Sequence, residues 1–352
     1  MNRAIIIALA GIAALAASPP RVAADQKLRS PWDLNKIQLT TSPYNCPAPV
    51  HLSPDLTTDG FYSDSKSSII DPAKWKAYAE SSGPFKNLGD QAVAAADAYR
   101  ATGSREAAQC VLGLLNTAAA DGVFTGKMSS RQAYYVQGWV IGALAIAYLK
   151  VRDSGLARHE EATSLTNWMK SVARQTMEYY DAARSKPGGE AENNHLYWAG
   201  VEIAAIAIAA DDRPMLDWAI ATYRNGVQQI TPEGTLPLEM RRGQRALHYH
   251  LYAIAPLVYL AEFGSDNGID LFAENDYALK RVVNRAIAGL AGSGYFDRET
   301  GIQQDTPQGP PTAEAISWAK IYVKHFPDPQ ISLLLAQAAS LSYMYLGGLP
   351  PD

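Results

Sequence analysis

Cysteine and histidine are scarce in this chain of 352 residues, which holds two of the former and six of the latter. There is no metal-spaced cysteine set, no H-E-x-x-H pair, no G-x-S-x-G elbow and no nucleotide-binding glycine loop, so the familiar hydrolase and nucleotide-dependent signatures are missing. Charge is sparse as well: 19% of residues are charged, and 31 basic side chains face 35 acidic ones, a net charge of −4. In bulk the chain offers nucleic acid no electrostatic footprint, and a polyanionic partner needs a local basic site. Hydrophobic residues make up 47%, enough to bury one large core or two ordinary ones.

Residues 1–24 read as a secretory signal. Arg3 supplies the positive start, Ala4 to Ala17 form the apolar run, and Val22-Ala23-Ala24 form a small-residue cleavage site before Asp25. The run is shorter than the roughly 20 residues a spanning helix needs, and no later segment reads as long and apolar enough to span. Cleavage removes Arg3 and Arg21 but no acid, leaving an acidic, soluble, exported protein. Export gives the cysteines a meaning, because an oxidising compartment favours a Cys46–Cys110 disulfide tying the N-terminal loop to a helix. The alternative is two buried thiols.

Residues 25–83 form an arm and loop rich in Pro, Ser, Thr and Asp. Residues 84–291 read as a train of amphipathic helices. Ser104 caps one that Asp121-Gly122 closes; Asp212 opens another that Asn225-Gly226 closes. Ala-rich faces such as Ala204, Ala205 and Ala207 suit helices packed in pairs. Residues 292–352 begin with a second long loop and end in helices around Trp318 and from Leu333 to Tyr345. The whole of 25–352 is read as one domain.

Two segments stand out. In Asn193-Asn194-His195-Leu196-Tyr197-Trp198, one of the asparagines caps a helix whose first turn carries His195. A helix start offers free N–H groups and a positive dipole end, which suits an anion and keeps the imidazole neutral. In the segment from Arg241 to Tyr252, a turn of about 100° per residue puts Arg242, Arg245, Tyr249 and Tyr252 on one face if the whole segment is helical. An arginine beside a tyrosine lowers the phenol pKa and also holds a carboxylate.

Asn, His, Arg and Tyr without a carboxylate pair argue against glycoside hydrolysis and for elimination at a uronate. The C5 proton of a 4-linked uronic acid becomes removable once its carboxylate is neutralised, for which Asn194 and Arg242 are suited. A neutral His195 or an ionised Tyr249 can take that proton, and Tyr249 as a phenol can return one to the C4 oxygen.

Asn193-Asn194-His195-x-Tyr197-Trp198, followed by Arg242-x-x-Arg245-Ala246-Leu247-x-Tyr249-His250-x-Tyr252, resembles the alginate lyases of polysaccharide lyase family five. The similarity extends over most of the mature chain, including both cysteines, the Ser65-Lys66 loop, Trp139 and the Asn267 to Leu271 turn. The resemblance implies an all-α fold, an incomplete α/α toroid with a deep cleft under a mobile lid, and a periplasmic location. It also implies metal-independent β-elimination on mannuronate-rich alginate, with no cofactor.

Carried over by position, Asn194 is the carboxylate neutraliser, His195 the base, Arg242 the arginine and Tyr249 the catalytic tyrosine. Lys66 matches a lid lysine, where other members place a tyrosine nearby. Ser65, Arg131, Gln132, Trp139, Arg245, His250 and Tyr252 are the expected substrate contacts. The expected partner is an acidic polysaccharide, with no nucleic acid, no membrane once the signal is gone, and a monomeric protein. A lyase for another polyuronate, such as glucuronan or hyaluronan, is the nearest rival reading. A noncatalytic polyanion-binding protein is the rival of a different class.

Overall fold

The structure is a computed structural model that describes residues 27–184, 189, 191–305 and 309–352. The expected signal segment lies outside the described residues. Within them the regular structure is helical, and the β-pairs are isolated bridges: Thr40 with Ser104, Leu56 with Met128, Tyr62 with Ile70 and Tyr343 with Gly348.

Eight long helices form four hairpins. These are α1 (Pro72–Thr102) with α2 (Arg105–Ala120), α3 (Arg131–Val151) with α4 (His159–Ala183), and α5 (Asn194–Ala210) with α6 (Arg213–Gln228). After the short α7 (Pro237–Met240) come α8 (Ala246–Asp266) and α9 (Glu274–Leu290). Helices α1, α3, α5 and α8 pack side by side as an inner arc, and α2, α4, α6 and α9 back them. Composition sets this order. Nearly every residue of α5 is buried, whereas α6 buries one stripe from Met215 to Val227, as a one-sided amphipathic helix does. The arc does not close on itself, and the result is the incomplete α/α toroid expected.

The inner helices touch closely because small residues meet at the crossings. A Cβ at Gly142 of α3 would stand 3.2 Å from the Cα of Glu202 on α5, and one at Gly138 would stand 2.7 Å from the Glu202 carboxylate. Thr176 of α4 donates to that carboxylate at 2.9 Å. Helix α3 (with residues up to Ser154) is in fact long and apolar enough to cross a membrane, contrary to the sequence reading, but most of it is buried inside the protein. It is a core helix.

Three boundaries differ from expectation. Helix α1 starts at Pro72, not near 84: Asp71 accepts from the Ala73 and Lys74 N–H groups, and Tyr78, Ser82, Phe85, Leu88 and Ala92 keep one buried face running through Pro84. Helix α6 runs past Asn225-Gly226, where Gly226 is a packing residue whose Cβ would press on Tyr197 and Leu257. At the C-terminal end, a helix from Tyr295 to Thr300 interrupts the expected loop, and the stretch from Leu333 to Tyr345 leaves helical geometry after Gln337.

The arm crosses the turns that join the hairpin helices, with the Leu28, Arg29 and Ile37 N–H groups donating to Asp211, Asn267 and Asp153. Cys46 and Cys110 are joined in a disulfide to α2, and Asp33 pairs with Arg152. Buried Lys150 on α3 donates to Asp97, Gly347 O and Leu349 O, fastening the C-terminal tail across α1 and α3. That tail and the lid loop are the walls that complete the cleft.

Candidate active site

The inner helices α3, α5 and α8 all begin at one cavity of about 910 Å³, and the first turns of α1 flank it. Ser130 caps α3 by accepting from the Ala133 N–H, and Asn193 caps α5 by accepting from the His195 N–H. Helix starts aimed at one space give it a positive potential in an otherwise acidic protein. Lys86, Arg131, Arg242 and Arg245 also line it, against Asp59, Asp64 and Glu314. The local basic site required by a polyanion is therefore present.

Arg242 occupies the turn between α7 and α8, which Gly243 makes possible with φ of +58° and no neighbour near its Cβ. Gln304 props the start of α8, accepting from the Leu247 N–H and donating to Gly243 O. From that start Tyr249 reaches the cavity with its ring 3.6 Å beneath the Arg242 guanidinium carbon. Its phenol oxygen lies 2.9 Å from that of Tyr62 on the lid loop. Tyr62 accepts from Arg245 at 2.7 Å, and Arg245 also donates to Nε2 of His248 at 3.0 Å.

Burial raises the Tyr249 phenol above its ordinary value; Arg242 and Arg245 pull it down, Tyr62 pushes it up, and burial wins. This corrects the sequence expectation of an arginine-lowered phenol. Tyr249 rests protonated. Across the cavity His195 stacks on Tyr135, with ring centroids 3.7 Å apart, and its buried Nδ1 has no hydrogen-bond partner among the described residues. Burial, aided by Arg242 and Arg131, pushes its pKa down to about 3. The imidazole is neutral as expected, though the reason is desolvation more than the helix dipole.

The lid loop is folded by Asp64, whose carboxylate accepts from the Lys66, Ser68 and Ile69 N–H groups. Against desolvation, the bonds from Ile69 and Ser68 hold the carboxyl down to about 2. The loop lies down on the cleft, with Ser67 O and Ser68 O accepting from Arg242 and Gln244.

The sequence model of the alginate lyase family matches residues 55–296. A polysaccharide lyase of Stenotrophomonas maltophilia is 35% identical over 286 residues, 80% of this chain and 82% of that protein. The chain belongs to the alginate lyase family. An alginate lyase of Pseudomonas fluorescens is 32% identical over 69% of this chain, and the match spans 65% of that protein. Among solved structures, alginate lyase A1-III from Sphingomonas species A1 gives a TM-score of 0.70 at 20% identity, covering 92% of this chain and 90% of that one. A variant of alginate lyase A1-III complexed with a tetrasaccharide gives 0.75 at 21%, over 94% and 89%. At that identity the likeness speaks for the fold, and family membership makes the chain a polysaccharide lyase.

Of the residues singled out in this alginate lyase family member, His195, Arg242, Tyr249, Ser65, Arg131, Gln132, Trp139, Arg245 and Tyr252 all line the cavity. Three do not. His250 is fully buried, with Nε2 accepting from the Leu236 N–H and Nδ1 2.7 Å from Ala246 O; it is a core residue with no face left for a substrate. Lys66 is exposed and does not line the cavity. Asn194 is buried one layer behind, and its backbone N–H and amide nitrogen both donate to the buried carboxylate of Glu239. Its amide carries a second hydrogen besides the one given to Glu239, but full burial keeps Asn194 off the cavity wall. Asn193 lines the wall instead.

Several lining residues escaped the sequence reading: Tyr62, Tyr78, Lys86, Tyr135, His248, Glu314, Tyr343 and Tyr345. Tyr62 had a signal in the family resemblance, which implies a tyrosine near the position of Lys66 in some members. His248 had one too, at helical spacing from Arg245 and Tyr252.

Proposed function

We propose that this protein cleaves mannuronate-rich alginate by β-elimination, in an exported, periplasmic and monomeric form. Arg242 meets the carboxylate of the reacting uronate and neutralises it, with His195 as a neutral hydrogen-bond partner on the facing wall. Tyr249 in its phenolate form takes the C5 proton. The electron pair of the C5–H bond becomes the C4–C5 double bond, the C4–O4 bond breaks, and Tyr249 returns a proton to O4. The products are a new reducing-side chain with an unsaturated uronate at its end and a shortened polymer.

At mannuronate the C5 proton and the leaving oxygen share one side of the ring, so one residue serves both transfers. Charge on the developing enolate-like carboxylate is met by fixed donors that need no rearrangement. The observation that carries this reading is the placement of Tyr249: its hydroxyl faces the cavity between the Arg242 guanidinium and the Tyr62–Arg245 pair. At guluronate the C5 proton lies on the opposite side, toward His195. That route needs a second group placed correctly, so it is the slower one.

The test is the ultraviolet absorbance of the unsaturated product on purified polymannuronate, polyguluronate, glucuronan and hyaluronan. Fastest cleavage of polymannuronate is the expected result. Equal or faster cleavage of polyguluronate contradicts the stereochemical argument, and a faster rate on glucuronan or hyaluronan reassigns the substrate. Absence of product from all four leaves only a polyanion-binding role.

A further inference from the structure

Lys86 is a cation of the cleft that the elimination itself does not use. It stands on α1, half-buried, about two turns after Tyr78 and just after Pro84, and it lines the same cavity as Arg242 and Tyr249. Its Nζ sits 4.0 Å from the centre of the Tyr78 ring. Among the described residues no ion pair to Lys86 is formed: Asp90, one turn on, acts on it only through space. The charged and titratable groups around it are Asp90 and Tyr78 on its own helix and Tyr345 from the C-terminal tail, which itself feels Asp90 and Tyr78.

A partly desolvated ammonium with no carboxylate partner is unfavourable unless a ligand supplies one, and the face of Tyr78 offsets only part of that cost. Helices α1 and α8 are the two ends of the inner arc, so Lys86 stands on the α1 flank and Arg242 on the α8 side of one cavity. A polyuronate carries a carboxylate on every sugar, and Arg242 answers only the one that reacts. We propose that Lys86 binds the carboxylate of a sugar neighbouring the reacting one, making the α1 wall a uronate subsite. This rests on the polyuronate reading above.

Burial lowers the Lys86 ammonium to about 8, against the pull of Asp90. A substrate carboxylate restores the charge, so binding and protonation reinforce each other.

The experiment compares wild type, Lys86→Met and Lys86→Arg on polymannuronate, with thermal melting as the control for folding. In Lys86→Met the KM rises about tenfold and kcat falls much less, while Lys86→Arg recovers most of the loss. The wild-type KM climbs as pH passes about 8, whereas KM in both variants does not follow that step. Should Lys86→Met fold poorly, Lys86→Gln takes its place. Binding of a mannuronate tetrasaccharide, measured by calorimetry in a Tyr249→Phe background with and without Lys86→Met, reads the subsite without turnover. Weaker binding in the double variant supports the subsite. An unchanged KM with unchanged binding overturns it, even when the wild type makes product normally; a wild type that makes no product from any polyuronate overturns the functional reading instead.

Discussion

The phenol oxygens of Tyr62 and Tyr249, 187 residues apart in sequence, lie 2.9 Å from each other. The lid is thereby joined to the residue proposed to move protons, and Arg245 fixes the joint by donating to Tyr62. The loop that carries Tyr62 and the protonation state of Tyr249 are linked through one hydroxyl.

The signs of that link are testable. Tyr62 raises the Tyr249 pKa and Arg242 lowers it, and a base that rests protonated gives a rate that rises with pH. In Tyr62→Phe the rising alkaline limb of kcat is expected to move to lower pH. In Arg242→Met it is expected to move to higher pH, together with weaker binding. A pH–rate profile of the three proteins checks both directions; limbs that stay in place in both variants contradict the role of Tyr249 as base.

His195 leads to a second expectation. With its pKa at about 3, it contributes no inflexion near the ordinary imidazole value of about 6.5. His195→Ala should slow cleavage of polymannuronate and abolish cleavage of polyguluronate, for which His195 is the proposed base. A His195→Ala protein that still cuts polyguluronate well shows that another group reaches that side of the ring.

Glu202 carries a stability prediction. Burial lifts its pKa to about 8, opposed by the Thr176 hydrogen bond, so the folded chain keeps a proton that the unfolded chain releases near pH 4.5. Such a group favours folding most below the unfolded pKa, and its contribution falls by roughly 1 kcal/mol per pH unit until the folded pKa is passed. Glu202→Gln, which cannot ionise, should therefore gain stability relative to wild type as pH rises from about 5 to about 8. Denaturant melts at both ends of that range measure the difference; a gap that does not widen with pH contradicts a buried neutral acid between α3 and α5.

The disulfide encloses a sequence separation of 64 residues. Replacing Cys46 and Cys110 together by Ser is expected to lower stability by about 4 kcal/mol in the chain-entropy model. The same cleft chemistry should survive, since the bridge ties the arm to the outer helix α2. Equal melting of the oxidised wild type and the double variant tells against that tether.

What was legible in the sequence was what is local. Capping residues such as Ser104 and Asp212 announced helices, and the two motifs named Arg242, Tyr249 and His195 because each is set by a helix start within a few residues. His250 was misplaced for a reason spacing could have supplied. Arg245, His248, Tyr249 and Tyr252 recur at helical period, and His250 falls on the opposite side of the turn. The start of α1 was hidden because Pro84 and Gly83 look like a boundary, while the buried stripe from Tyr78 to Ala92 overrides them. Tyr62, Lys86 and Tyr345 were not legible for a different cause. They meet the cleft through the lid, the far end of the arc and the C-terminal tail, contacts that depend on the closed tertiary fold.

The claim that Tyr249 performs the elimination is tested most directly by product absorbance from polymannuronate with wild type and Tyr249→Phe, alongside the affinity of each for a mannuronate tetrasaccharide. The ring of Tyr249 packs under Arg242, so losing the hydroxyl alone should leave binding near the wild-type value. Turnover should fall by about a hundredfold to ten-thousandfold, the usual loss of a positioned acid or base. Product formed by Tyr249→Phe at close to the wild-type rate would show that the proton moves through another residue.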